Sequence, residues 1–370
     1  MRTKFPCPLN LMTRQFVPIL TAIVAIATAC TNSAPLAPNN TELSTITESE
    51  SPTPPSVLNA VQERGFLICG VDGGIPGFSF VDETGQYSGL DVDICKAIAA
   101  AVLGNPEAVE YQQLDPILRF IAVSEREVDI LSRSTTWTLS RDTQLGVEFA
   151  PTTFYDTQGM MVRADSGITS LEDFQDKSVC VEAGTTTELN LMDSMRKAGV
   201  AFETLTFEQP DPAYGAYAQG FCQGITSDHF ILEARRQSLP NPEEHILLEI
   251  TLSKEPLAPA TVQNDPAWFD VVKWVTFGLM EAEELGITQA NIEEKLQSPD
   301  PRIRLFLGIE GNLGEDMGLS HDFMVNVVKA VGNYGEIYER NLGRDSPFNL
   351  PRGYNALWKD GGLMYSPPFR

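Results

Sequence analysis

Residues 129–143 are DILSRSTTWTLSRDT, a segment that joins a short apolar run to small hydroxylated residues and then to Arg141. The apolar run at 128–131 predicts a strand. Sheets of α/β proteins bind ligands at the carboxyl ends of their strands, where backbone N–H and C=O groups are open. The guanidinium of Arg141 offers a planar pair of donors that suits a carboxylate. The segment therefore predicts an α/β fold with a carboxylate-binding site at a sheet edge.

Three further segments place suitable groups at strand ends. VCVEAGTTTELN at 179–190 runs from a strand through a Gly-Thr turn into a helix, whose start offers N–H donors to an anion. Asp228 follows a strand candidate, and Asp72 follows another. Two acids and two anion-binding elements predict a site for a small zwitterion. Both aspartates also suit an N-cap or a turn, and that alternative stays open.

Short apolar runs alternate with helical patterns from residue 57 onward, which predicts an α/β protein with mostly parallel sheets. Helix 90–103 has apolar residues at helical spacing, with Asp91 placed as its N-cap. The charges within helix 266–286 exclude a membrane span. The other predicted strands are 66–71, 159–162, 177–181 and one starting at 224–226, and a short helix is predicted at 211–220.

The first 29 residues have the pattern of an export signal. Arg2, Lys4 and Arg14 precede an uncharged apolar stretch at 16–29, which is too short to span a bilayer comfortably. The stretch ends on ATAC, small residues followed by Cys30, as in the lipobox of bacterial lipoproteins, and we expect Cys30 to be lipidated. Ordinary cleavage before an incidental Cys30 is the alternative.

Residues 31–56 predict a disordered tether behind Cys30. Fifteen of these 26 residues are Ser, Thr or Pro, and none is aromatic or basic. Such a segment cannot bury enough apolar surface to fold.

The net charge of the protein excludes some classes of binding partner. The 370 residues include 26 Lys plus Arg and 50 Asp plus Glu, for a net charge of −24. Nucleic acids and anionic membrane surfaces repel such a body, and neither is an expected partner. The three histidines lack metal-ligand spacing, so no metal site and no cofactor are expected.

Four cysteines lie in the predicted folded body, an even number in an exported protein. Cys69 lies on the first strand and Cys95 on the following helix, whereas Cys180 and Cys222 lie at strand-like segments farther along. We predict the disulfides Cys69–Cys95 and Cys180–Cys222. Four buried free thiols remain the alternative.

The sequence resembles the bacterial periplasmic amino-acid-binding proteins of polar amino-acid ABC transporters, solute-binding family 3, and its general L-amino-acid-binding branch in particular. The resemblance covers residues 60–370. Its markers are GVDGGIPGFS (70–79), GLDVD (89–93), SRSTTWTLSRDT (132–143), GTTTELN (184–190), SKEPL (253–257), VGNYGEIY (331–338), RGYNALW (352–358) and GGLMY (361–365).

The resemblance implies the type II periplasmic-binding-protein fold, in which two α/β lobes joined by two crossing hinge strands close on the ligand. Residues 57–154 and 256–370 would form lobe 1 with a C-terminal extension, and residues 155–255 would form lobe 2. Residues 1–29 would be the signal peptide and residues 30–56 the tether.

The resemblance also implies residue roles. Arg141 would bind the α-carboxylate of the ligand, with the backbone N–H groups of Thr136 and Thr186. Asp228 would bind the α-ammonium group, with the carbonyl of Ser134. Asp72 is a further acceptor for that ammonium group.

Three positions leave the selection of the ligand side chain open. Ile75 stands where many relatives have an aromatic residue, and Glu182 stands where some have Lys or Gln. Arg133 is next to Ser134, and alternation along the strand predicts that its side chain points away from the ligand into a surface or structural ion pair.

The function implied is that of the extracytoplasmic substrate-binding component of an ABC-type importer for free L-amino acids, broad and polar in preference. The expected partners are a free L-amino acid and the membrane subunits of the permease. The protein would be a monomer in the periplasm, lipid-anchored to the inner membrane. A lyase-like enzyme on the same fold and a ligand sensor are the alternatives; the sequence has no G-x-S-x-G or H-E-x-x-H motif.

Overall fold

A computed structural model describes residues 55–370 of the protein. The predicted signal peptide, the lipidation of Cys30 and nearly all of the predicted tether lie outside the described residues. The last two residues of that tether contact the fold. The carbonyl of Pro55 accepts a hydrogen bond from Arg126 Nη1 at 2.6 Å, and Ser56 Oγ donates to Asp265 Oδ1 at 2.8 Å.

Fourteen strands form three sheets within the described residues. The strands are β1 (Leu67–Val71), β2 (Gly74–Ile75), β3 (Ser79–Val81), β4 (Tyr87–Ser88), β5 (Val109–Gln113), β6 (Ile130–Leu131), β7 (Val147–Phe149), β8 (Phe154–Arg163), β9 (Ser178–Glu182), β10 (Glu203–Phe207), β11 (Gly224–Asp228), β12 (His245–Leu247), β13 (Lys254–Leu257) and β14 (Ala260–Val262).

Thirteen α-helices accompany the strands in the same part of the chain. The helices are α1 (Val57–Arg64), α2 (Leu90–Leu103), α3 (Arg119–Ser124), α4 (Leu139–Gln144), α5 (Thr186–Ala198), α6 (Pro210–Ala218), α7 (His229–Arg236), α8 (Pro266–Glu284), α9 (Ile292–Lys295), α10 (Pro301–Phe306), α11 (Leu313–Asp316), α12 (Phe323–Val331) and α13 (Tyr334–Asn341). None of the helices in residues 55–370 is both long and apolar enough to cross a membrane.

Two of the sheets are the centres of two lobes. The first has the strand order β5-β1-β6-β14-β7, and the second has the order β10-β9-β11-β8-β12. The chain passes between them along β8 and back along β13, and these two strands pair antiparallel from Phe154–Leu257 to Thr157–Lys254. The predicted α/β architecture of two lobes joined by two crossing strands is therefore confirmed. The predicted lobe boundaries at 154/155 and 255/256 fall within this ribbon and stay a prediction.

The prediction of mostly parallel sheets is wrong. Parallel pairing is confined to β5-β1-β6 and β10-β9-β11, and the remaining pairs are antiparallel. The reason lies in the two crossings. Strands β1, β6, β9 and β11 end towards the cleft between the lobes, whereas β8 and β14 each enter a lobe from the cleft. The entering strands must run in the opposite direction.

The region after residue 300, where the sequence pattern is weak, packs against lobe 1 and the first crossing strand. Helix α12 packs on α2 and α8, and its apolar residues belong to the main core. Tyr334 donates from its hydroxyl to the carbonyl of Thr153 at 2.7 Å. Asn355 accepts from the N–H of Tyr155 at 2.7 Å and donates to its carbonyl at 3.2 Å. This extension thus fixes the start of β8.

Both predicted disulfides are present. Cys69 pairs with Cys95, with 6.3 Å between their Cα atoms, and Cys180 pairs with Cys222, with 5.7 Å between theirs. The first joins β1 to α2 in lobe 1, and the second joins β9 to the loop before β11 in lobe 2. Each lobe therefore has one covalent cross-link in its own core.

Removing either disulfide is expected to lower the free energy of unfolding. The bridges span 26 and 42 residues of sequence, and loops of that length correspond to about 3.5–4 kcal/mol in the chain-entropy account. Denaturant titration of the paired substitution Cys180→Ser and Cys222→Ser measures the effect, with the oxidised wild type as control. An unchanged unfolding midpoint would contradict the expectation.

Candidate functional site

A cavity lies between the two lobes, at the carboxyl ends of their central strands. The cavity is small, with a volume of about 40 Å³. Its lining comes from both lobes: Asp72, Ile75, Arg119, Arg133, Ser134 and Thr136 from lobe 1, and Glu182, Thr185, Thr186, Thr187, Pro210, Ser227, Asp228, Ile231 and Arg235 from lobe 2. The lining combines charged groups of both signs with few apolar residues, which suits a small charged ligand.

The loop after β6 forms much of the lobe 1 wall and is held by a buried aspartate. Ser134 has a left-handed backbone with φ of 42°. Asp91 Oδ2 accepts from both the N–H and the hydroxyl of Ser134 at 2.9 Å, and its Oδ1 accepts from Ser132 at 3.3 Å. Burial raises the pKa of Asp91 to about 6, although these hydrogen bonds favour the ionised form. The carboxylate thereby fixes a backbone conformation that L-residues seldom adopt.

The prediction of Asp91 as the N-cap of α2 is wrong. Gly89 occupies the cap position, and Asp91 lies inside the first turn with its side chain directed into the core. Pattern matching identified the start of the helix and an acid near it. The partner of that acid comes from a loop 43 residues farther along the chain.

The side chain of Arg133 was predicted to point away from the ligand, but it lies on the wall of the cavity. It forms an ion pair, but the pair is buried and lies on the cavity wall, with Arg133 Nη2 2.5 Å from Asp72 Oδ2. Strand β6 ends at Leu131, so the alternation that would turn Arg133 away from Ser134 no longer applies. The carboxylate of Asp72 is therefore already bonded to a guanidinium.

Arg141 is buried in lobe 1 and is not among the residues that line the cavity. Its Nη1 donates to the carbonyl of Thr136 at 2.9 Å, and its guanidinium lies 5.1 Å from the ring centre of Phe120. Burial lowers its pKa to about 10, opposed by the nearby carboxylates of Glu255 and Asp228. Its cationic charge is thus adjacent to the site.

The lobe 2 wall contains the start of α5. Thr185 caps the helix by accepting from the N–H of Glu188 at 3.1 Å. Thr186 is the first helical residue, so its N–H has no acceptor within the helix. Within residues 55–370, the N–H groups of Thr136 and Thr186 donate no hydrogen bond. Two backbone donors, one from each lobe, therefore remain for a ligand oxygen.

Asp228 supplies a buried carboxylate at the end of β11. It occupies the N-cap position of α7, yet its side chain makes no capping bond, and Asp156 accepts from the N–H of Phe230 instead, at 3.0 Å. Its pKa is raised well above the ordinary value, mainly by burial and further by Glu255 and Asp156. The alternative role as an N-cap is therefore filled by another residue.

Glu255 joins the two lobes at the hinge and was not predicted as a site residue. Its Oε2 accepts from the hydroxyl of Thr136 in lobe 1 at 2.5 Å and from that of Thr186 in lobe 2 at 2.9 Å. Its Oε1 accepts from Asn190 at 3.1 Å and also from Ser253. The signal that identifies it is its place in the SKEPL segment on β13.

Five of the six predicted ligand-binding residues line one cavity: Asp72, Ser134, Thr136, Thr186 and Asp228. Arg141 is adjacent to them. Sequence reasoning missed Arg119 and Arg235, because an isolated arginine on a helix has no pattern that marks it. Within the described part of the chain, no group of three or more His, Cys, Asp or Glu residues is placed to hold a metal ion.

Comparison with known proteins identifies the family. Residues 67–298 match the bacterial extracellular solute-binding proteins, family 3. The chain belongs to this family. It is 47% identical over 317 residues to the general L-amino acid-binding periplasmic protein AapJ of Rhizobium johnstonii, a match that covers 85% of this chain and 93% of that protein.

Other relatives of this solute-binding protein are similar over comparable lengths. It is 43% identical over 316 residues to the glutamate/glutamine/aspartate/asparagine-binding protein BztA of Rhodobacter capsulatus, which covers 85% of this chain and 94% of that protein. Among solved structures, a periplasmic binding protein from Brucella ovis with glutathione bound has a TM-score of 0.83 and 44% identity, and the match covers 85% of this chain and 100% of that one. The expected type II fold and the expected branch are thereby confirmed.

Replacing Asp91 is expected to lower the stability of the protein and to disturb the loop that forms the lobe 1 wall of the cavity. Asp91→Ala would leave the buried N–H of Ser134 without its acceptor and is expected to lower the free energy of unfolding by about 2–4 kcal/mol. Asp91→Asn keeps an acceptor oxygen and should cost less. Chemical denaturation of both variants measures this. An Ala variant as stable as the wild type would show that Asp91 does not hold the loop.

Proposed function

We propose that the protein is the extracytoplasmic substrate-binding component of an ABC-type amino-acid importer. It would capture free L-amino acids between its lobes and deliver them, unchanged, to the permease. One observation carries the proposal: the cavity between the lobes presents an unpaired carboxylate, Asp228, together with free N–H donors from both lobes and a nearby guanidinium. Those groups match the two charges that every α-amino acid has.

The α-ammonium group is assigned to Asp228 and the carbonyl of Ser134. The carboxylate is assigned to the N–H groups of Thr136 and Thr186 and to Arg141. Arg141 reaches the ligand by exchanging its bond to the Thr136 carbonyl for one to the carboxylate. Charge-assisted hydrogen bonds in a site between two lobes are compatible with micromolar affinity, about −8 kcal/mol.

Closure of the lobes couples binding to delivery. Contacts from lobe 1 and lobe 2 to one ligand are possible only when the lobes are together, so the ligand stabilises the closed state. The permease would then recognise that state.

We further propose that the protein acts as a monomer in the periplasm, held at the inner membrane through a lipidated Cys30. Within the site, Asp72 serves to position Arg133 beside the ligand.

Glutathione is a second candidate ligand. The related Brucella ovis protein was solved with glutathione bound. In this chain a second, more open pocket of about 620 Å³ adjoins the cavity and shares Asp72, Arg133, Pro210 and Arg235 with it. A ligand longer than a single amino acid would extend into this space.

Calorimetry with the twenty L-amino acids and glutathione tests the proposal. We expect micromolar or tighter binding of polar amino acids, and Arg141→Met is expected to weaken it at least about 100-fold, because truncation leaves a buried carboxylate unpaired. Arg302→Met is the matched control, since Arg302 forms an exposed ion pair on α10.

Chromatography of the ligand after long incubation tests the alternative of catalysis. Ligand recovered unchanged supports a receptor, and a reaction product would refute it. Full affinity in Arg141→Met would refute the role given to that residue.

Affinity is expected to fall as the pH is lowered. The pKa of Asp228 is raised by its burial and by Glu255, Asp156 and Glu182, with Arg119 opposing. Below that pKa the carboxyl group must lose a proton before it accepts an ammonium group, whereas above it the group is already ionised. Affinity for a zwitterion should therefore drop by up to about tenfold per pH unit through that pKa.

Calorimetry in buffers of different ionisation enthalpy measures the protons released on binding. We expect release to be largest below the raised pKa of Asp228 and absent in Asp228→Asn. An affinity that does not change with pH, together with no proton release, would contradict the role given to Asp228. It would show that the ammonium group does not bind to a carboxylate that has to lose a proton first.

A further inference from the structure

Helix α7 of lobe 2 has apolar side chains that belong to two different cores. Leu232 belongs to a hydrophobic cluster within lobe 2. Phe230, Ile231 and Ala234 instead belong to the main core, whose other members come from lobe 1, the crossing strands and the C-terminal extension. The helix also packs on β2 of lobe 1. Helix α7 therefore lies between the lobes and is held by both.

Phe230 lies at the centre of four phenylalanine rings, which we call the aromatic cluster: Phe78 of lobe 1, Phe154 at the start of β8, Phe230 itself and Phe348 of the C-terminal extension. The ring centre of Phe230 is 4.9 Å from that of Phe78, 6.0 Å from that of Phe154 and 5.2 Å from that of Phe348. Phe78 and Phe348 meet it edge to face, which is a favourable aromatic geometry. Phe230 is only 3% exposed, although it lies at the boundary of two lobes.

Phe348 contacts both lobes from the extension. Its partner in lobe 2 is Phe230, and its partner in lobe 1 is the hairpin between β2 and β3. A methyl group at Gly77 of that hairpin would lie 3.0 Å from Phe348 Cε2, and the φ of Gly77 is 85°, so both the space and the backbone require glycine there. The extension thus reaches lobe 2 as well as the start of β8.

The neighbours of Phe230 in the sequence belong to the cavity. Asp228 occupies the N-cap position of α7, and both Asp228 and Ile231 line the cavity. The N–H of Phe230 donates to Asp156 on β8 at 3.0 Å, which ties this turn to the crossing strand. Ile75, on the strand that α7 packs against, lines the cavity from lobe 1. A shift of Phe230 would therefore move a carboxylate and an apolar part of the cavity wall.

We infer that Phe348 is a positioning residue for ligand binding, which holds the first turn of α7 against lobe 1 through its contact with Phe230. This inference rests on the proposed function, since it needs the ligand to bind at Asp228. Phe348 does not line the cavity, so it acts through Phe230. Its contacts join the two lobes, and they exist only in the arrangement that lets both lobes touch one ligand. Phe348 therefore stabilises that arrangement.

Calorimetry and stopped-flow measurement of ligand release test the variant Phe348→Ala. The probe is whichever of the twenty L-amino acids binds the wild type most tightly. We expect the affinity to fall about tenfold, the size of one edge-to-face pair together with part of the apolar surface that it buries. The loss should appear mainly as faster dissociation, because the contact forms only when the lobes are together. Phe348→Leu keeps apolar surface at this position and should bind within about threefold of the wild type.

Tyr365→Ala is the matched control. Tyr365 lies in the same extension, is 56% exposed and meets Trp358 of the extension edge to face at 5.8 Å. Its substitution removes an aromatic contact within the extension and should leave both the affinity and the dissociation rate as in the wild type. Denaturant unfolding of each variant measures its stability separately from binding.

A double-mutant cycle tests whether Phe348 acts through Phe230. If it does, the variant with both Phe230→Ala and Phe348→Ala binds about as weakly as Phe230→Ala alone. Losses that multiply would show that Phe348 acts by another route. If Phe230→Ala does not fold, the comparison of Phe348→Ala with Tyr365→Ala decides.

Three results would overturn the inference alone: wild-type affinity in Phe348→Ala, an equal loss in Tyr365→Ala, or losses that multiply in the cycle. In each case the wild type still binds amino acids, and the proposed function stands. Failure of the wild type to bind any of the twenty amino acids would instead overturn the proposed function and this inference together.

Discussion

Burial of charge between two lobes is the constraint on which the rest of the structure depends. Removing an ion from water costs several kcal/mol unless a partner of opposite charge is supplied. The cavity buries Asp228 without a hydrogen bond from the described residues and Arg119 without an ion pair. In the proposed function, a ligand with charges of both signs would offer a partner to each of these groups. Binding and closure of the cleft would then meet the same electrostatic requirement.

The hinge meets this constraint with its own charged residue. Glu255 lies on β13 and accepts hydrogen bonds from threonines of both lobes, Thr136 and Thr186. These are the residues whose N–H groups are assigned to the ligand carboxylate, so lobe contact and ligand contact share the same segments. The C-terminal extension holds the other crossing strand through Tyr334 and Asn355.

Local patterns were sufficient for much of the fold and for most of the proposed ligand-binding residues that line the cavity. Apolar periodicity placed α2 at its observed bounds, and the prediction for α8 at 266–286 extended only two residues past its observed end. Strand-end chemistry identified Asp228 and Thr186, because parallel strands bring their carboxyl ends to one edge. The same patterns failed for Asp91, Arg133 and the strand directions. Those depend on partners that are distant in sequence.

The sequence by itself predicted the alternating α/β elements, both disulfide pairs and the family, and it led to the residues proposed to bind an α-amino acid. The elements follow from short-range periodicity, and the family follows from motifs whose chemistry lies within a few residues. Only the tertiary structure decided that Arg119 and Arg235 meet in one cavity and that Glu255 joins the lobes. The net charge around a buried point depends on side chains from many segments, and no local pattern encodes that sum.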